Sequence, residues 1–363
     1  MEPKSIVRPN VQKVAERAGV SRMTVSRVLQ NRRDQVSPET YERVVVALRE
    51  LDYVPVKMAF QSHHNRTNVV GLVPHTSYLP GHQIDLQTMG AVCHRGAQFG
   101  YDVMIAQRGE SEWMAGREEI RFLDRRTDGF IFISPGAHEW NSVFEALVRH
   151  AVPVVACYRR DVPEGVAWVD PDNRDMMNQG FDCLLRAGHT RIAYLAPPTK
   201  NSGNTMLLAD RSGTRSNFDH TQRYATFVRR MKELGHEEPE AWVFRARIGK
   251  MSLDEDQVDA LLQSGATAAI GFCGELGVKL YTSILARGLR VPEDFSIVNL
   301  DWWIESGVRN ITHVTFDMEE MGRSAMDAWI ELTQGKPASE CCREVPVQLV
   351  ERASVGPPPR RRD

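Results

Sequence analysis

Residues 9–55 read PNVQKVAERAGVSRMTVSRVLQNRRDQVSPETYERVVVALRELDYVP, with apolar residues recurring at helical spacing throughout. Val11, Val14, Ala15 and Ala18 fall on one face of a first helix. Gly19 and Val20 then make a tight turn in which glycine can take a positive φ. Ser21 is a natural N-cap for a second helix, Ser21 to Leu29, which buries Val25, Val28 and Leu29 and turns Arg22, Met23, Ser26 and Arg27 elsewhere. A third helix starts at Ser37 with Pro38 in its first turn, and Val44, Ala47, Leu48 and Leu51 complete a three-helix core. This order is that of a helix-turn-helix. In such a unit the N-terminal end of the second helix is the part that enters the major groove, where arginine can pair with guanine and an apolar side chain can meet a thymine methyl. On these signals alone, a small helical bundle with solvated arginines is the competing reading.

Charge separates this head from the rest. Residues 1–66 carry 12 Lys/Arg against 7 Asp/Glu, a balance of +5, whereas residues 67–363 carry 33 against 40, or −7. A basic head on an acidic body suits a chain whose first segment meets a polyanion. With 363 residues there is room for more than one hydrophobic core.

From Asn68 onward the pattern changes to short β-type runs alternating with helical stretches, as in parallel sheets with crossover helices. NVVGLVP, YDVMIAQ, DGFIFIS, VPVVACY, VAWVD, RIAYLAP, AWVFRAR, AAIGFC, FSIVNLD, ITHVTF and VPVQLVE are the strand candidates, and so many strands favour two sheets. The segment 57–67 reads as a linker and the tail GPPPRRRD as unstructured. No internal repeat is visible. The stretch 198–220 is far longer than an ordinary strand-to-helix connection, which marks it as a candidate lid over a ligand.

Six cysteines occur without metal-ligand spacing, so neither a zinc site nor a disulfide framework is expected, and no cofactor motif is present. The beginning of the chain has no signal-peptide core and no run of about 18 apolar residues occurs, so the expected location is the cytoplasm and no membrane partner is foreseen. That also argues against a secreted transport-binding protein. Phosphate-binding, nucleophile-elbow and zinc-protease motifs are absent, which argues against an enzyme.

VAERAGVS, TVSRVL, VSPET and LDYVP resemble, nearly residue for residue, the headpiece of the lactose/galactose repressor (LacI/GalR) family of transcriptional regulators. The similarity continues through GLVP, GYDVMIA, RTDGFIF, VPVVACY, AGHTRIAYLA, GLRVPEDFSIV and EEMGRSA, over about residues 8–355. It implies an all-α helix-turn-helix headpiece joined to an α/β region of two doubly wound subdomains of periplasmic-binding-protein type, with a ligand between them. Arg22 and Met23 would choose the operator sequence, Arg27 would read a base common to many operators, and Ser21, Thr24 and Ser26 would touch phosphates. In the hinge, Lys57 and Ala59 would also meet DNA. Here the chain departs from the pattern it resembles: Val56 stands where that family usually has an asparagine, and Ser62 where it has the leucine that wedges into the minor groove. Serine cannot act as an apolar wedge, so a hinge helix that bends DNA less is expected, with Phe60 and Met58 as apolar alternatives.

For the effector, the resemblance points to Arg223, twelve residues before Gly235, and to Asp301 after SIVNL. Without it, Arg223 reads as a surface arginine and Asp301 as a cap or turn residue. A usual asparagine falls on Cys273, and Tyr158 and Arg159 follow the strand VPVVAC. Trp302 and Trp303 would either stack on a sugar face or pack beneath the loop. Arg223 and Arg159 outnumber Asp301, which favours a sugar acid over a neutral sugar if both arginines face the ligand. The expected organisation is a headpiece at 1–55, a hinge at 56–67 and an effector-binding and dimerisation domain at 68–356, with 357–363 disordered. Its first subdomain would hold about 68–165 and 314–340, and its second 166–313 and 341–356. The expected partners are a pseudo-palindromic operator DNA, a sugar or sugar-acid effector and a second copy of the chain.

Overall fold

A computed structural model describes residues 11–29, 32–51, 53, 66–74, 83–106, 122–123, 126–133, 140–197, 218–246, 251–301 and 309–359. The chain divides into two compact units, Met1–Asn68 and Val69–Asp363.

In the first unit, α1 (Val11–Ala18), α2 (Arg22–Leu29) and α3 (Pro38–Glu50) close on Val14, Ala15, Ala18, Val25, Val28, Val44, Ala47 and Tyr53. Gly19 takes φ +64°, and the Val20 amide donates to Ala15 O at 3.0 Å to end α1. Ser21 Oγ accepts from the Thr24 amide at 3.1 Å and Ser37 Oγ from the Thr40 amide at 3.3 Å, each satisfying a donor that a helix start leaves open. These caps fix where α2 and α3 begin.

The second unit holds two six-stranded sheets. Strands β1 (Val69–Val73), β2 (Asp102–Ile105), β3 (Phe130–Ile133), β4 (Val154–Cys157), β5 (Ala167–Pro171) and β11 (Arg343–Val345) form the first, in the order β11-β5-β4-β3-β1-β2. Strands β6 (Ile192–Ala196), β7 (Val243–Arg245), β8 (Ala268–Gly271), β9 (Ser296–Leu300), β10 (Thr312–Phe316) and β12 (Val347–Val350) form the second, in the order β12-β10-β9-β8-β6-β7. The two orders are the same topological pattern twice over. All pairings are parallel except β10 with β12. Central strands such as FIFI and IAYLA are buried along their whole length, as parallel strands covered on both faces must be.

Helices α4 (Gln83–Gln98) and α5 (Asn141–Arg149) belong to the first sheet, and α6 (Asn173–Arg186), α7 (Phe218–Glu233), α8 (Glu255–Gln263) and α9 (Gly274–Ala286) to the second. Helix α10 (Met318–Thr333) returns to the first sheet, where Gly322 lets it cross α4 closely. A Cβ at Gly322 would lie 2.4 Å from Thr88 O. A short helix, α11 (Ala338–Cys341), follows. The chain therefore passes between the sheets three times, after β5, after β10 and between β11 and β12.

Four details differ from the sequence reading. VAWVD was expected in the second subdomain, but β5 pairs with β4 (Val155↔Ala167) and the chain crosses only after Pro171. The expected single strand VPVQLVE begins on β11 in the first sheet and continues as β12 in the second, because Pro346 lies between them and supplies no amide to a ladder. The expected boundary at residue 314 cuts β10, which belongs wholly to the second sheet. At the end of the chain, residues 357–359 are not a loose tail. Gly356 O accepts from His189 Nε2 at 2.9 Å, and Pro358 packs beside Gly188.

Candidate functional site

In the first unit, Ser21, Arg22 and Met23 are exposed at the start of α2, Met23 to 65%, while Thr24, Ser26 and Arg27 are half-buried. Ser21 Oγ and Thr24 Oγ1 lie 2.9 Å apart, and Arg27 Nη2 donates to Met23 Sδ at 3.6 Å. Arg22 and Met23 are therefore open to contact at this end of α2. The buried Val25 and Val28 fix the opposite face. Lys57, Ala59 and the hinge positions Val56 and Ser62 lie outside the described residues.

In the second unit, Arg223 lies in the second turn of α7, buried to 2% exposure. Its Nη1 donates to Asp301 Oδ2 at 2.8 Å and to Phe272 O at 2.6 Å, and its Nη2 donates to Asp301 Oδ1 at 3.1 Å. Nε donates to Asn173 Oδ1 at 2.8 Å. Asn173 in turn donates through Nδ2 to Asp170 Oδ2 at 3.2 Å, which also accepts from Arg160 Nε at 2.9 Å. Arg160 reaches Glu344 at 2.6 Å and lies over the Trp168 ring. The network thus runs from β11 and β5 of the first sheet, through the start of α6, to α7 and the end of β9.

Its electrostatics follow from burial. Burial pushes the Asp170 carboxyl up to about 7, with Arg160 working against the shift. Asp219, in the first turn of α7, is also raised by burial, against the pull of Arg223. Arg223 stays charged, because Asp301 and Asp219 more than offset the cost of its burial. His220 is pushed down to about 3 by burial and by Arg245 and Arg223, so its ring is neutral. It stacks on Tyr194 and meets Phe272 edge to face.

Tyr158 and Asp301 occupy equivalent places. Each directly follows a strand, β4 or β9, with φ of +62° and +65° respectively, and each amide donates to the neighbouring strand, to Val169 O or Val314 O. Such left-handed backbone is uncommon outside glycine and clusters where side chains are re-aimed for function. The Tyr158 hydroxyl lies 2.6 Å from Thr88 Oγ1 and its ring packs on Phe316, joining elements of both sheets. Cys273 is the residue before α9, and burial raises its thiol to about 12, so it is present as the neutral thiol.

Arg159 does not join Arg223. It donates to Asp161 Oδ1 at 3.0 Å and to Asn141 Oδ1 at 2.6 Å, and lies over Phe144. The expectation of two arginines outnumbering one aspartate therefore does not stand, since each arginine is matched by a carboxylate. Arg160, Asp170, Asn173, Asp219 and His220 were missed. Asp219 and His220 end the long 198–220 stretch singled out above, while its residues 198–217, like Trp302 and Trp303, lie outside the described residues.

Residues 10–56 match the family model for bacterial regulatory proteins of the lacI family, and residues 181–355 match the model for the periplasmic binding protein-like domain. The chain belongs to the LacI/GalR family. As a member it is a DNA-binding transcriptional regulator, and the relatives found are regulators too. The transcriptional regulator KdgR of Bacillus subtilis is 23% identical over 98% of this chain and all of its own length. CelR of Thermobifida fusca is 29% identical over 94% of this chain and 95% of its own, and the lactose operon repressor of Escherichia coli is 26% identical over 94% and 89%. Among solved structures, a CelR–cellobiose complex aligns with TM-score 0.64 at 26% identity, covering 96% of this chain and all of that one. A lac repressor dimer bound to operator and the anti-inducer ONPF shares the fold, with TM-score 0.74 at 24% identity over 96% and 99%. Within this LacI/GalR regulator, no helix among the described residues is long and apolar enough to cross a membrane, and no described group of His, Cys, Asp and Glu is set to hold a metal.

Proposed function

We propose that this regulator is a homodimeric, cytoplasmic repressor whose hold on a pseudo-palindromic operator is set by a sugar-class molecule bound at Arg223 and Asp301. The observation that carries the reading is the buried Arg223–Asp301 fork, connected through Asn173 and Asp170 to the first sheet. A ligand that engages the fork acts on groups that tie the two sheets together, so its binding free energy can bias their arrangement. A carbohydrate ligand is supported by the cellobiose held in the CelR complex. The regulator acts by binding, not by catalysis.

In this reading residues 1–55 are the headpiece, 56–67 the hinge and 68–356 the effector-binding and dimerisation region. Arg22 and Met23 select bases, Arg27 reads a further base, Ser21, Thr24 and Ser26 position the helix on phosphates, and Lys57 and Ala59 contribute from the hinge. Tyr158, Cys273 and Trp302 join Arg223 and Asp301 around the ligand. Arg159 supports Asp161 rather than touching the ligand. A two-fold dimer doubles the few base pairs that one recognition helix can read.

The test is to select an operator from randomised duplex DNA with the full-length protein, then measure binding by fluorescence anisotropy against salt and a panel of sugars. Affinity that falls steeply with salt and drops when one sugar is added is expected. Failure to enrich any sequence, or an operator affinity that no sugar changes, would sink the reading.

A further inference from the structure

Cys341 and Cys342 stand side by side where the chain leaves α11 for β11, the strand from which it crosses to the second sheet. Cys341 ends the helix and is fully buried, while Cys342 is half-buried and already extended, with φ −67° and ψ 135°. Both thiols point back toward the same short stretch of backbone. Cys341 Sγ donates to Lys336 O at 4.0 Å and Cys342 Sγ to Ala338 O at 3.3 Å. A small solute can thus reach one sulfur of the pair, and the other is its neighbour in the chain.

The surroundings of Cys342 favour reaction there first. Extending the register of β11 with β5 by one residue from Arg343↔Val169 sets Cys342 beside Trp168. The Arg160 guanidinium lies over the Trp168 ring, 4.5 Å from its centroid, and reaches Glu344, two residues beyond Cys342, at 2.6 Å. Burial raises the Cys342 thiol, with the Trp168 amide and Arg160 pulling against the rise, whereas at Cys341 burial and Glu331 both raise it. The more accessible thiol is also the one whose anion has a guanidinium nearby.

Covalent geometry limits what oxidation can make of the pair. Consecutive α-carbons across a trans peptide are about 3.8 Å apart, short of the roughly 4.4 to 6.8 Å that a disulfide ordinarily spans. A bond between neighbouring cysteines is therefore strained and easily reduced, which suits a reversible couple and not a permanent staple.

We propose that Cys341 and Cys342 form a peroxide-responsive dithiol whose vicinal disulfide loosens β11, giving the regulator a redox input separate from its small-molecule effector. The Cys342 thiolate attacks one peroxide oxygen, the O–O bond breaks, and a sulfenic acid and a first water result. Cys341 then attacks that sulfur, and the S–S bond forms as the hydroxyl leaves in a second water. Two thiols give up two electrons, one peroxide takes them, and both thiol protons end in water. Closing the ring turns the sulfurs away from Lys336 O and Ala338 O and ties a helical residue to an extended one. The strain falls on the next residue, Arg343, which donates to Glu331 Oε1 at 2.6 Å and to Ser324 O at 3.0 Å and pairs with Val169 of β5. Glu344 and its hold on Arg160 follow directly.

The experiment treats full-length protein with increasing hydrogen peroxide, blocks the remaining thiols with iodoacetamide and examines the peptide holding both cysteines by mass spectrometry. A loss of two hydrogens with neither cysteine alkylated, reversed by dithiothreitol, is expected. Hydrogen exchange on the same samples shows the amides of β11 and β5 exchanging about tenfold faster when oxidised, with β8 and β9 of the other sheet unchanged. Affinity for the operator selected as above shifts by about threefold or more on oxidation. Cys342→Ser abolishes all three changes, and Cys342→Ala serves should the serine variant misfold. Four results overturn the proposal: oxidation confined to the exposed Cys93, a sulfinic or sulfonic acid at Cys342 with Cys341 still free, a vicinal disulfide that leaves β11 protected as before, or an operator affinity indifferent to that disulfide. The mass and exchange measurements need no operator, so they decide the redox chemistry whatever the outcome for the repressor reading.

Discussion

Arg223 and Asp301 meet through two parallel hydrogen bonds, of 2.8 and 3.1 Å, and bring the interior of α7 against the end of β9. Removing one member of a buried pair strands the other and typically costs about 3 to 5 kcal/mol, whereas replacing both is far less damaging. Arg223→Met and Asp301→Asn are each expected to destabilise the second unit toward the low end of that range, because Asp301 keeps partial contact with solvent. The double variant is expected to lose less than the two single losses combined. Urea unfolding of the four proteins measures this directly, and strictly additive losses would show that the pair is not coupled.

Asp170 gives the network a pH dependence. Its carboxyl, ordinarily at 3.8, is pushed up to about 7 by burial, with Arg160 and Arg223 opposing the shift and Asp219 assisting it. The folded state therefore binds the proton more tightly than the unfolded chain. This group's contribution to stability falls as pH rises from about 4 to about 7, by up to about 1.4 kcal/mol per pH unit. Asp170→Asn removes the ionisation while keeping an acceptor for Arg160. The buried histidines titrate as well, so the informative quantity is the difference in unfolding free energy between wild type and variant. That difference is expected to change across pH 4 to 7 and to level off above it; a difference independent of pH would contradict the assignment.

The exposed start of α2 predicts a separation of effects on DNA. Met23→Ala and Arg22→Ala are expected to change which operator is preferred, each lost base contact being worth about 1 to 3 kcal/mol, without altering the fold of a unit whose core lies on the other face. Ser21→Ala removes the oxygen that caps Thr24 and should weaken every sequence alike. Binding of each variant to a library of operator sequences distinguishes the two classes, and an unchanged preference in Arg22→Ala would refute its role.

The headpiece was legible because it is local: the turn at Gly19, the caps at Ser21 and Ser37 and the apolar faces lie within a few residues of what they control. Strands of the second unit were legible as apolar runs, but their sheet was not. Nothing in the pattern of VAWVD or of VPVQLVE says where the chain crosses, and only pairing with β4 and the break at Pro346 decide it. The same limit explains the site. Arg223 and Asp301 were reached through family resemblance, while Asp170 and Asn173 depend on a crossover that brings the end of β5 to α7. The neighbours Arg159 and Arg160 are harder still. Positive φ at Tyr158 breaks the strand's alternation, so one arginine turns to Asn141 and Asp161 and the other to Asp170.

The segment after β12 is tied to the second sheet. Ser354 Oγ donates to Ile297 O at 2.6 Å and accepts from the Thr312 amide at 2.8 Å, tying the segment after β12 to both β9 and β10. Two residues on, Gly356 O accepts from the buried His189, whose Nδ1 lies 2.8 Å from Thr267 Oγ1. Since Gly356 O can only accept, His189 Nε2 carries the proton and Nδ1 accepts from the threonine, a neutral ring in keeping with the lowering of its pKa by burial. Ser354→Ala leaves a buried amide and a buried carbonyl without their partner, a loss of about 1 to 3 kcal/mol. Ending the chain at Ala353 removes the His189 and Ser296 contacts as well and should cost more. Hydrogen exchange is expected to show the strand amides of β9 and β10 losing protection in the truncated protein while those of β3 and β4 in the other sheet keep theirs; equal loss in both sheets would mean that the segment does not act as a local clamp.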